Sequence, residues 1–120
     1  MPKFKFELEA VLTQRRAAER AQQVAVSLIE REKVELEGTM RGWNDALADE
    51  RRDLRDRLTD SAQGGMRLAR FQAVAALHLT TRLRQASGRL AGIYARLERA
   101  RAELAVLAAK RQAVEKLREQ

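Results

Sequence analysis

The sequence predicts an all-α protein, a long two-helix antiparallel coiled-coil hairpin with its turn near residues 60–65. Three observations predict it. Apolar residues recur in a 4-3 rhythm along two long stretches, the spacing of a coiled-coil seam. The rhythm is interrupted once, by Thr59-Asp60-Ser61-Ala62-Gln63-Gly64-Gly65. The only proline is Pro2, aromatics make up 4 % and charged residues 34 %. Such a composition favours long helices, because strands are richer in β-branched and aromatic residues.

In chain order, residues 1–6 are expected to form a short lead-in carrying Phe4 and Phe6. The first helix is expected over about residues 7–60. Its seam starts at Leu8 and Leu12 and turns polar at Arg15, Glu19 and Gln22. It then strengthens through Val26, Ile29, Lys33, Leu36, Met40, Trp43, Leu47, Glu50 and Leu54. Leu58 falls out of phase. The turn is placed at about 61–65, where Gly64 or Gly65 supplies the left-handed conformation that ends a helix. Asp60 or Ser61 alternatively caps the next helix. The second helix is expected over about 66–118, entering through Leu68, Phe71, and Val74 or Ala75. Its main seam is Leu79, Leu83, Ala86, Leu90, Ile93, Leu97, Ala100, Leu104, Leu107, Arg111 and Val114.

The two seams predict their own pairing. In a hairpin, facing residues have a constant index sum. Leu47 with Leu79, Trp43 with Leu83, Met40 with Ala86, Leu36 with Leu90, Ile29 with Leu97, Val26 with Ala100 and Leu12 with Val114 each add to 126. The mirror point is residue 63, inside the expected turn. All 120 residues therefore read as one coiled-coil domain. Its arms are expected to be about 80 Å long, with a core one seam wide.

Irregular seam positions are the candidate partner-binding residues. Arg15 is expected to face Arg111, a like-charge layer that loosens the open end or recruits an anion. The alternative is that both side chains extend outward to water. Trp43, the only tryptophan, is either core or a docking anchor. Phe71 and Leu77 lie off the seam. With Trp43 they form a candidate apolar docking patch, or ordinary local packing.

Catalytic chemistry has little to build on. His78 is the only histidine and there is no cysteine, so neither a metal centre nor a Ser–His pair is expected. Gly64-Gly65 lacks the Lys-Ser/Thr of a phosphate-binding loop. No enzyme activity and no cofactor are expected. No apolar run approaches the roughly 20 residues that span a bilayer. Met1 to Glu7 has no apolar stretch of the kind that opens a secretory leader, so the cytoplasm is expected. The formal charge of +7 is uneven: residues 1–62 carry 12 Lys/Arg and 13 Asp/Glu, and residues 63–120 carry 12 and 4. A basic second helix is one route to an acidic partner.

One resemblance rests on a distinctive opening motif. Phe4-Lys5-Phe6-Glu7-Leu8-Glu9-Ala10-Val11-Leu12-Thr13-Gln14-Arg15 is similar to the F-x-F-x-L-x-x-V-L-x-x-R opening of the FliJ family of flagellar export proteins. The segment Lys110-Arg111-Gln112-Ala113-Val114-Glu115-Lys116-Leu117-Arg118-Glu119 resembles the R-x-x-E-K-L-like segment of that family's second helix. The resemblance implies a non-catalytic component of type III protein export in flagellum biogenesis. It implies a monomeric antiparallel coiled coil like the central stalk of rotary ATPases. The implied partners are the hexameric export ATPase, the membrane-embedded export gate and export chaperones. The implied location is the cytoplasmic face of the inner membrane near the flagellar base, reached through those partners. Two other readings stand beside it. One is a basic coiled-coil arm that binds nucleic acid, although aromatic residues for base stacking are sparse. The other is a plain structural coiled coil or dimer.

Overall fold

The computed structural model describes residues 2–59 and 65–120. Two helices account for nearly all of them: α1 over Pro2–Thr59 and α2 over Gly65–Glu119. They pair antiparallel, and no strand occurs among the described residues. The expected turn residues and the Asp60/Ser61 cap lie outside the described residues.

The expected lead-in is not separate from the helix. α1 starts at Pro2 and carries Phe4 and Phe6 on its first turns. Proline is well placed there, because the first helical N–H has no intrahelical acceptor and the ring presets φ. The seam starts at Leu8, whereas the helix starts at Pro2, so Glu7 is not the start of the helix.

Contacts group the chain into two compact units. Unit 1 comprises residues 1–32 and 93–120, and unit 2 comprises residues 33–92. Paired long helices favour such grouping, because each turn touches only the turns at its own level.

Unit 1 is centred on Val26, Leu97 and Ala100, with Ile29 and Leu104 packed against them. These are the layers that the index sum pairs: Val26 with Ala100, and Ile29 with Leu97. Leu12 is fully buried and Leu97 is 2 % exposed. Burial of a leucine of this kind contributes roughly 1.5–3 kcal/mol before side-chain entropy is subtracted. Gln22, a polar seam position, turns its amide onto the Ala100 carbonyl at 3.0 Å, so its burial is compensated.

Unit 2 buries Leu36, Leu47, Ala69 and Ala86. Met40, Trp43, Leu79, Leu83 and Leu90 are half-buried at the expected seam positions. The first turns of α2 depart from expectation. Leu68, Phe71 and Val74 are exposed, whereas Ala69 is buried and Gln72, Ala75 and Ala76 are half-buried. The 4-3 rhythm carried back from Leu79 reaches Ala76, Gln72 and Ala69. Helix periodicity thus decides the inward face here against side-chain size. The seam of unit 2 is consequently thin in this region. Glu50 Oε2 and Gln72 Oε1 are both buried there and accept no hydrogen bond, which is a cost to stability.

These observations set opposite signs for two variants. Leu97→Ala is expected to lower unfolding stability by about 2–5 kcal/mol through a cavity in the single seam. Gln72→Leu is expected to raise it by about 1 kcal/mol by removing an unsatisfied amide. Urea titration followed by circular dichroism reads both.

Candidate functional site

The candidate residues fall in both units. In unit 1, Arg111 sits three-quarters buried on the seam face of α2. Its guanidinium Nε meets the Glu19 carboxylate of α1, and its Nη1 meets Glu115 Oε2 at 2.9 Å. Arg16 Nη2 reaches the other oxygen of Glu115 at 3.4 Å. The result is one chain of alternating charge, Glu19–Arg111–Glu115–Arg16, crossing between the helices twice. It lines a shallow hollow of about 300 Å³ together with Arg20 and Gln23.

This arrangement corrects the expected like-charge layer. Arg111 is not left facing Arg15, because a long guanidinium reaches diagonally to the carboxylate one turn further along. Arg15 is half-buried and forms no ion pair among the described residues. Glu19 holds the Arg111 guanidinium above its ordinary pKa, with Glu115 adding to the effect. Arg111, and then Arg16, hold the Glu115 carboxyl below its ordinary value near 4.5.

Three more ion pairs join the helices in unit 1. Arg118 meets Glu9 at 3.0 Å, Arg101 meets Glu30 at 3.0 Å and Arg96 meets Glu32 at 3.2 Å. Each is exposed and contributes little energy alone, but each fixes the antiparallel register.

In unit 2, Trp43 is half-buried on the seam. Phe71 and Leu77 are 67 % and 65 % exposed. They stand with Met66 and Val74 on the outward face of α2, where a hollow is lined by Arg67, Arg70, Phe71 and Val74. The expected grouping with Trp43 is not formed. The register sets Trp43 at the level of Leu83, about 18 Å along the axis from the level of Phe71. Trp43 belongs to the core seam, and the outward row belongs to α2 alone. Arg67 and Arg70 are not among the residues that the sequence pattern singles out, and Val74, placed by it on the inward side as an alternative to Ala75, faces outward. The signal for them was the choice of inward residues, since whatever the seam excludes must face out.

Among the described residues, no group of three His, Asp or Glu is placed to hold a metal ion. No helix is long and apolar enough to cross a membrane. Comparison with known proteins adds no assignment: no family model, curated protein or solved structure matches the chain.

The lowered pKa of Glu115 gives a pH prediction for unit 1. A depressed carboxyl stabilises the fold above its unfolded value, and that contribution is lost as pH falls through the lower folded value. Helicity followed by circular dichroism from pH 7 down to pH 2 is expected to show an acid-induced loss of stability. Glu115→Gln is expected to remove part of that dependence while lowering stability at neutral pH.

Proposed function

We propose that this chain is a FliJ-like export stalk, a non-catalytic coiled coil that binds and regulates the hexameric flagellar export ATPase. In this reading it couples the ATPase to the export gate and to export chaperones at the cytoplasmic face of the inner membrane. The observation that carries the reading is the Phe4–Arg15 motif at the start of a long helix that finds its partner within its own chain. A stalk needs that property, because it must stay straight and paired without a second subunit.

The chemistry of the two units supports a division of labour. The terminal part of unit 1, near residues 1–25 and 105–120, offers exposed Phe4 and Phe6. It also offers Arg15, which forms no ion pair among the described residues, beside a charge network that keeps the helices together. This end is assigned to the ATPase ring. The Phe71 and Leu77 row of unit 2 is an apolar surface of the kind that docks proteins, and is assigned to the export gate.

One observation favours nucleic acid as the second reading. Residues 65–97 contain Arg67, Arg70, Arg82, Arg84, Arg89 and Arg96 and no carboxylate. Against it, Phe71 and Tyr94 are the only aromatics in that stretch, whereas single-strand binding relies on stacking platforms.

Size-exclusion chromatography with the purified flagellar export ATPase, at physiological salt and with tRNA as competitor, separates the readings. A stoichiometric complex that survives tRNA is expected. Arg15→Gln is expected to weaken it about tenfold. Loss of the complex to tRNA transfers the assignment to the nucleic-acid reading. With neither complex, a plain structural coiled coil remains, and light scattering then tells monomer from dimer.

A further inference from the structure

The two units treat the arginines of α2 differently. In unit 1, four of the five α2 arginines, Arg96, Arg101, Arg111 and Arg118, each reach a carboxylate of α1, and Arg99 does not. In unit 2, α2 carries Arg67, Arg70, Arg82, Arg84 and Arg89. None of these five forms an ion pair or a side-chain hydrogen bond among the described residues. α1 carries carboxylates at this level, among them Glu35 and Asp49 one turn either side of the row Thr39, Gly42 and Ala46, but among the described residues none is within ion-pair distance of these five arginines.

Arg82 and Arg89 are the most ordered of the five in spacing. They lie seven residues apart on one flank of α2, two turns or about 10.5 Å along the axis. The seam pairs Met40 with Ala86 and Trp43 with Leu83. That register brings Thr39 alongside Arg89 and Ala46 alongside Arg82. Gly42 lies between them on the same flank of α1, and a Cβ there would meet nothing within 4 Å. Where Arg96 in unit 1 finds Glu32, the arginines in unit 2 find a threonine and an alanine. The flank is therefore low on one side, walled by two exposed guanidiniums on the other, and free of any carboxylate that neutralises them.

We propose that this flank of unit 2 is the docking site for an acidic α-helix of a partner protein. A third helix fits the dimensions. Thr39, Gly42 and Ala46 let its backbone approach closely. Carboxylates seven residues apart on its near face reach Arg82 and Arg89, as flanking charges select partners in coiled coils. A second copy of this chain is a poorer occupant, because it brings the same net charge of +7 and the same carboxylate-free stretch of α2 over residues 65–97. A polyanion satisfies the charges but makes no use of the close approach at Gly42. The inference does not rest on the export-stalk reading, and its test needs no export component.

The probe is a synthetic amphipathic helical peptide with glutamates at seven-residue spacing, and its counterpart with glutamine at those positions. Fluorescence anisotropy of the labelled peptide measures binding to the full chain, and Trp43 emission serves as a second reporter. The glutamate peptide is expected to bind at least tenfold more tightly than the glutamine peptide. Arg82→Glu/Arg89→Glu is expected to remove that preference, and Arg67→Glu/Arg70→Glu to leave most of it. A lysine version of the peptide is expected to bind the Arg82→Glu/Arg89→Glu chain, which shows that the variant is folded. Gly42→Leu is expected to weaken the glutamate peptide with all arginines in place. Four results overturn the proposal. The two peptides bind alike or not at all. The preference follows Arg67 and Arg70 instead. Gly42→Leu has no effect while tRNA displaces the peptide. Or sedimentation shows that the chain covers this flank by self-association.

Discussion

Neither helix can bury its apolar stripe without the other. That single constraint sets the register, and with it every other placement in the molecule. The seam is one layer of side chains wide, so each layer has one partner on each helix and no redundancy. Val26 against Ala100 and Met40 against Ala86 pair a large side chain with a small one, which fills the layer without forcing the helices apart. Once these layers are fixed, the flanking charges either meet or do not. In unit 1 they meet, as Arg101 with Glu30 and Arg96 with Glu32.

The contrast between the units is electrostatic as much as apolar. Unit 1 pairs four of its five α2 arginines with carboxylates of α1 and places a dense charge network where the seam itself is polar, at Glu19, Gln22 and Arg111. A seam that admits charge costs stability unless the charges are paired, and here they are paired. Unit 2 keeps its seam thin at the first turns of α2, with Ala69, Gln72 and Ala76 inward, and there sends Leu68, Phe71, Val74 and its arginines outward. The same sequence economy thus yields one unit suited to holding itself together and another suited to presenting surface.

Much of this was legible in the sequence because a seven-residue period is redundant. Every expected seam residue from Leu8 to Leu54 and from Leu79 to Val114 is buried or half-buried in the structure. The illegible parts have physical reasons. Phe71 and Leu68 drew the expected seam toward large residues, although the rhythm carried back from Leu79 pointed to alanines. The Arg15–Arg111 layer was drawn from facing positions, and that rule omits the diagonal reach of a guanidinium to Glu19. The unpaired arginines of unit 2 were hidden in a net charge. A count by halves records how many charges exist, and only the register tells which of them meet.

The most direct test of the account is a pair of engineered cysteines in a chain that has none of its own. Val26→Cys with Ala100→Cys should close an intramolecular disulfide on mild oxidation, leaving a monomer by gel filtration. Val26→Cys with Leu107→Cys, one heptad out of register, should not. Disulfide formation by the shifted pair, or dimers linked through the first pair, would contradict the self-paired seam on which everything else here depends.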